Sequence, residues 1–431
     1  MRKHVKRIAK KYIPNILKPC LYQCYSYVNI LLNNLISYSK RREAYIEFKN
    51  SVPIQELLTS QTIQILQPTF YDVEGEIYLS GGAERYLCDL SEIIINLGYK
   101  PYIVQHGNKF WHKKHNNLID VFGVPSVDRF GIPLNGFALL NILAHESIFG
   151  KPKLRIYSNF VVAYPKVDYN SIGIAHGMFW SSHPNLYTTL PINKAFSALS
   201  TFVSVDKATI SWFRGMMPKE MLEGKKHIRY IPNYVDLEKF YPVERLEDNK
   251  IRIIYPRRLY HICGYFLMDE IVSNILTKYP QVEFHFVGQA DEQANKAIKK
   301  LVKKFTGRVL WYFQAAENMN EIYRKSDITV IPTIINEGTS LSCIEAMATG
   351  NAIIASNVGG LSDLIIDNYN GLLINPPNSQ ELQQKIEELI SNPNLRKRLG
   401  DNALAVAQCF DQKIWQAKWL EILNRSLNNR K

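Results

Sequence analysis

TIQILQPT (residues 62–69) is followed by a loop and then by SGGAERYLCDLSEIIINLGYK (80–100) and PYIVQHG (101–107). TIQILQPT reads as a strand. Gly81-Gly82 open a helix whose apolar stripe includes Tyr86, Leu87, Leu90, Ile94 and Leu97, the spacing of one helix face. Gly98 stands where helices commonly end on a left-handed residue. PYIVQHG reads as the next strand. Strand, loop, helix and strand in this order form the unit from which parallel sheets are built.

Working outward, further strands are expected at 154–162, 171–176 and 201–205. The pattern restarts near residue 250. KIRIIYP, VEFHFVG, RVLWYF, ITVIPT and NAIIAS are five short β-rich runs, with helical runs such as 317–326 and 339–349 between most of them. DLIIDNYNGLLINP adds a short strand after an Asn-Gly turn, and 379–408 holds two amphipathic helices. A chain of 431 residues exceeds one ordinary core. The expected architecture is α/β, with two doubly wound domains joined near 240–250 and a ligand cleft between them at the carboxyl ends of the strands. The divisions are an arm (1–50), a first domain (51–245), a second domain (246–415) and a C-terminal helix (416–431) that is a candidate to cross back to the first domain.

Charge is distributed unevenly. Residues 1–50 hold 11 Lys or Arg against 2 Asp or Glu, a surplus of nine out of a formal net charge of +13. Basicity therefore belongs to the arm, and an arm of this kind suits an anionic surface. Residues 19–39 lack charge but are too rich in Pro, Gln, Asn and Ser for a spanning helix. They read better as an amphipathic helix, lying either on a membrane surface or on its own domain. Nucleic acid is disfavoured as a partner, because no reading motif accompanies the charge. Cys20 and Cys24 could share a helix face but make a poor zinc site and read as small apolar residues, and the other four cysteines are scattered, as in a reduced, cytoplasmic protein. His106, His112 and His115 lack paired metal-ligand spacing and read as surface or loop residues. Metal ligands are not expected.

TIINEGTSLSCIEAMATG (333–350) carries the chemistry. It reads either as a surface turn before an ordinary helix or as a site where Glu337 and Glu345 hold one ligand. Gly338 permits close backbone approach, and Thr339 or Ser340 can cap the helix that Leu341 continues. A helix start with free N–H groups suits a phosphate. Glu345 would lie roughly 12 Å along a helix from Glu337, at about 1.5 Å per residue, on the order of the span from sugar to ribose in a nucleotide sugar.

Four ordered marks then point to a family. The segment 333–371, SGGAER (80–85), IPNYVDLEKF (231–240) and YPRRL (255–259) resemble retaining glycosyltransferases of family 4, which have the GT-B fold. The resemblance covers roughly residues 60–425. It implies a nucleotide-diphosphate sugar donor, a glycan or lipid-linked glycan acceptor, retention of configuration and no metal or other cofactor. It also implies that Arg258 binds the donor diphosphate, that Glu337 positions the sugar and that Glu345 anchors ribose. The Gly81-Gly82 loop closes the cleft, and His176 faces the reacting sugar. Gly338, Thr339, Ser340 and Leu341 surround the phosphates. Cys263 stands where the family has a lysine, and Arg257 is the candidate to replace that charge. The absence of any Asp-x-Asp agrees with a metal-independent transferase. The doublet Gly359-Gly360 is either a plain turn or a close approach to the nucleotide. Two other functions fit the same residues: a sugar-nucleotide epimerase on a similar fold, and a non-catalytic nucleotide-sugar or glycan binder, the latter suggested by Cys263.

Overall fold

A computed structural model describes residues 44–128, 130–134, 136–168, 170–178, 186–217, 227–244, 248–335, 337–375 and 377–428. The amphipathic stretch 19–39 and most of the basic arm lie outside the described residues. Residues 44–49 are helical, and Phe48 is buried in the first domain's core, stacked on Phe110 at 4.8 Å.

Two sheets organise the chain. The first contains β1 (Thr62–Leu66), β2 (Lys100–Gly107), β3 (Trp111–His115), β4 (Ile119–Pro125), β5 (Leu154–Tyr157), β6 (Ser171–Ala175), β7 (Thr201–Ser204) and β8 (His227–Tyr230). Its strand order is β3-β4-β2-β1-β5-β6-β7-β8, parallel except for the antiparallel β3–β4 pair. The second contains β9 (Ile251–Tyr255), β10 (Val282–Val287), β11 (Val309–Tyr312), β12 (Ile328–Ile331), β13 (Ala352–Ser356) and β14 (Leu372–Ile374), all parallel in the order β11-β10-β9-β12-β13-β14. In each sheet the chain winds outward one way and then returns to wind the other way. The reversals fall between β1 and β5 and between β9 and β12. The crevice at such a reversal, outside the carboxyl ends, is where doubly wound sheets bind ligands.

Central strands are buried on both faces, so they read as apolar runs: every residue of β1, β4, β12 and β13 is buried. The helix Gly82–Asn96 starts on extended Gly81 and is followed by Gly98 at φ 82°. It lays Tyr86, Leu87, Leu90 and Ile94 onto the first sheet.

Two expectations need correction, and one hairpin was not foreseen. The run 154–162 is strand only to Tyr157, and Phe160–Ala163 form a 3-10 turn. β3 and β4 form a hairpin, whose turn residues Asn116 and Asn117 sit at φ 48° and 58°. His106, His112 and His115 are therefore strand residues with partners: His106 with Ser126 at 2.7 Å, His112 with Asp120 at 2.8 Å and His115 with Tyr71 at 2.8 Å.

The last helix, Gln412–Asn428, packs on the first domain. Trp415, Trp419, Ile422 and Leu423 join the core formed by β1, β5 and β6, and Trp419 Nε1 donates to the Tyr86 hydroxyl at 2.8 Å. Burial of each such side chain contributes about 1.5–3 kcal/mol, so this helix ties the two domains together strongly. Among the described residues no helix is long and apolar enough to cross a membrane.

Candidate functional site

The reversal of the second sheet gathers the predicted residues. Arg257 and Arg258 follow β9, and Glu337 follows β12, its neighbour in the sheet. Glu337 Oε2 accepts from Arg257 Nη1 at 2.7 Å and from Thr333 Oγ1 at 2.9 Å. Its Oε1 accepts no hydrogen bond among the described residues. The Arg258 side chain is exposed and forms no ion pair among the described residues.

The helix spans Leu341–Ala348, so the path from Glu337 to Glu345 is loop for its first half. The continuous-helix span expected from the sequence does not apply. Ser340 precedes the helix without a side-chain cap. Thr339 does not cap it either. Its Oγ1 donates to the Val205 carbonyl at 2.9 Å and accepts from Asn233 N–H at 2.7 Å, so the side chain fastens this loop to the first domain.

The glycines here serve backbone against backbone. Gly359, at φ 51°, lies against the Glu337 main chain, and Gly360 N–H donates to the Glu337 carbonyl at 2.6 Å. A Cβ on Gly338 would meet the His176 carbonyl at 2.9 Å, and one on Gly177 would meet Gly338 N at 2.6 Å. The close approach expected of Gly338 is thus made to the other domain.

The first domain brings its carboxyl edge to the same place. A Cβ on Gly81 would lie 3.5 Å from Arg258 Nη2, and one on Gly82 would lie 3.0 Å from Leu341 Cδ1. Beneath Gly81, buried Glu84 accepts from Gln67 Nε2 at 3.2 Å, and burial pushes its carboxyl up despite Gln67 and nearby Arg258. His176, after β6, packs edge-on against Tyr86 at 5.1 Å. Burial holds its imidazole down at about 4, so it is neutral near pH 7, and its Nε2 has no partner among the described residues. Glu345 Oε1 accepts from Arg85 Nη2, on the first domain's helix, at 2.6 Å. All eleven predicted residues thus lie where the two carboxyl edges meet.

With this geometry in view, residues 237–406 match the family model of the Glycosyl transferases group 1. The match is confined to these residues, which hold Arg257, Arg258, Glu337 and Glu345, whereas Gly81, Gly82, Arg85 and His176 lie outside it. The chain is 26% identical over 244 residues to the N,N'-diacetylbacillosaminyl-diphospho-undecaprenol alpha-1,3-N-acetylgalactosaminyltransferase of Campylobacter jejuni, covering 54% of this chain and 63% of that one. The chain spans about half the length of the curated relatives it matches. Sucrose-phosphate synthase from Thermosynechococcus elongatus superposes with a TM-score of 0.69 at 19% identity, over 85% of this chain and 98% of that one. HepE from Anabaena, in complex with UDP and glucose, superposes with a TM-score of 0.64 at 18% identity, over 85% of this chain and 100% of that one. These likenesses show a shared GT-B-like fold.

Cys263, which the resemblance sets where the family has a lysine, is buried. Burial pushes its thiol up, against the pull of the nearby Arg257 guanidinium, so it stays neutral. Its main chain is pinned, because the Tyr255 hydroxyl donates to the Cys263 carbonyl at 2.9 Å and Gly264 turns at φ 78° against Pro332. The cation beside this position is Arg257. Sequence reasoning missed Arg85, Thr333, Glu84 and Asn233. Arg85 lay inside the quoted SGGAER, but nothing local says that a helix arginine in one domain reaches a glutamate 260 positions away in the other.

Proposed function

We propose that this chain moves a sugar from a nucleoside-diphosphate sugar to a hydroxyl of a glycan or lipid-linked glycan, with retention of configuration and without a metal. The observation that carries the reading is the meeting of Arg258, Glu337 and the start of the helix Leu341–Ala348 at one sheet reversal, under the Gly81-Gly82 edge of the other domain. Such an arrangement binds anions through guanidinium and free N–H groups, and it stabilises charge as it develops on a departing diphosphate. The relatives support the substrate class. One is named for transfer to a diphospho-undecaprenol-linked sugar, and one neighbour was solved with UDP and glucose. Synthesis of a cell-surface polysaccharide or glycoconjugate is the setting that fits such an acceptor.

In the proposed reaction the acceptor oxygen bonds to the anomeric carbon on the face that the diphosphate leaves. The bond from that carbon to the phosphate oxygen breaks, and the acceptor proton passes to the leaving phosphate. Arg258 and the amides of residues 338–341 hold the diphosphate. Glu337 Oε1 takes sugar hydroxyls, while Arg257 and Thr333 keep its other oxygen in place. Glu345 takes ribose hydroxyls. Neutral His176, whose Nε2 is buried without a partner among the described residues, is the candidate to orient the sugar or the acceptor.

Incubation with uridine, guanosine and adenosine diphosphate sugars and a panel of glycan and lipid-linked acceptors, followed by NMR of the product, tests the proposal. One donor should give product with the donor's anomeric configuration. Arg258→Ala should cut turnover by about 10²–10³, the usual cost of removing a group that stabilises transition-state charge. Isomerised donor without any acceptor would replace the reading with epimerisation. Donor binding without turnover would leave a binder, and wild-type turnover in Arg258→Ala would remove the assignment of that residue. For residues 1–40, which lie outside the described ones, the proposed seat is the cytoplasmic face of an anionic membrane. Co-sedimentation with anionic vesicles should fall as salt rises; equal binding to neutral vesicles at all salt concentrations contradicts it.

A further inference from the structure

We infer that Arg85, from the first domain, is the positioning residue for the Glu345 carboxylate in the second, and that the ribose grip is complete only when both domains contribute. The inference rests on the reading of Glu345 as the ribose anchor and names the residue through which that anchor acts.

The geometry is specific. Arg85 Nη2 donates to Glu345 Oε1 at 2.6 Å, with the glutamate side chain 6% exposed and the arginine 29%. The buried Tyr323 hydroxyl also acts on this carboxylate. One oxygen is held by the arginine, and the other is the one through which a ligand would be taken. Glu337 shows the same division, with Oε2 held by Arg257 and Oε1 left over. The difference is the source of the arginine. Arg257 belongs to the same domain as its glutamate, and Arg85 to the opposite one.

Asp89, one turn along the same helix, lies close enough to Arg85 to act on its charge. Asp89 in turn accepts a hydrogen bond from the Tyr234 hydroxyl and a weaker one from Gln412 Nε2 at 3.4 Å. Burial opposes the charge on Arg85, and the attraction of Glu345 more than restores it, so the guanidinium stays protonated. The converse follows for Glu345. A carboxylate this buried, deprived of its cation, is left uncompensated and turns away from its place. A displaced carboxylate is a poor acceptor for ribose hydroxyls.

Titration calorimetry on the full chain tests this, with UDP, GDP and ADP each compared with its 2′-deoxy counterpart. The base that binds most tightly is carried forward into variants, and the melting temperature of each variant is recorded. The wild type should prefer the ribose form, and Glu345→Gln should lose that preference. Arg85→Gln should cut it to about a tenth, a coupling within the range usual between linked sites. Arg85→Lys should recover part of it. Should Arg85→Gln not fold, Arg85→Met, of similar length, is read the same way. If Glu345→Gln loses the preference and the folded Arg85 variant keeps it in full, the role of Arg85 is overturned and the ribose reading stands. If the wild type shows no preference, or Glu345→Gln retains it, the ribose reading fails and the inference with it.

Discussion

Gly359 shows what a single residue does for the site. Its φ of 51° lies in the left-handed region, and its Cα faces the Glu337 main chain so closely that a Cβ would stand 2.6 Å from Glu337 N. Next to it, Gly360 N–H holds the Glu337 carbonyl. The doublet buttresses the loop that aims Glu337. Gly359→Ala should therefore cost about 1–3 kcal/mol of stability, the usual cost of an enforced rare backbone conformation. It should also lower transfer by more than the fraction unfolded accounts for. Denaturant titration beside the transfer assay measures both; wild-type values in each would show that the loop needs no buttress. The sequence left this doublet open between a plain turn and an approach to nucleotide, because the partner backbone of Glu337 lies 22 residues before Gly359. Glu337 was singled out because it follows a strand of strong apolar pattern at its carboxyl edge, and Arg258 because YPRRL resembles the family's phosphate loop. Thr339 was misread: as a small hydroxyl residue before a helix it matched a cap, and only the neighbouring domain revealed its other use.

Among elements, the βαβ order and both windings were legible, since buried parallel strands are short apolar runs set between helical stripes. β3 and β4 were not. WHKKH carries little apolar pattern because it is an edge strand, half-exposed along most of its length. Its signal was Asn116-Asn117, two residues that tolerate positive φ and suit a tight hairpin turn. The overextended strand at 154–162 failed for the opposite reason. Its residues stay apolar and buried into the 3-10 turn, where Asn159 accepts from Val161 N–H at 3.3 Å and turns the chain. Apolar pattern reports burial, not backbone shape. The helix Leu341–Ala348 starts later than expected because Thr339 and Ser340 are drawn out by contacts with Asn233, Val205 and Arg257.

At the scale of the whole molecule, two domains that each wind a sheet independently are joined at the site itself. The ties are Arg85 to Glu345, Thr339 to Val205 and Asn233, Lys207 N–H to Asp363 at 2.8 Å, and the backbone contact of Gly177 with Gly338. Behind them, the helix Gln412–Asn428 leaves the second domain and buries two tryptophans in the first. The ties at the site depend on pairs of residues far apart in the chain, which is why they were not visible in the sequence, whereas a C-terminal helix crossing back was already an expectation. With the proposed donor in the site, they put it between the domains and not on one of them. A crystal structure of the full chain grown with the nucleoside diphosphate it binds most tightly tests this most directly. The phosphates should lie within hydrogen-bonding distance of the Arg258 guanidinium and the amides of residues 338–341, with ribose on Glu345 Oε2. Nucleotide bound elsewhere, with that edge empty, would contradict the proposal.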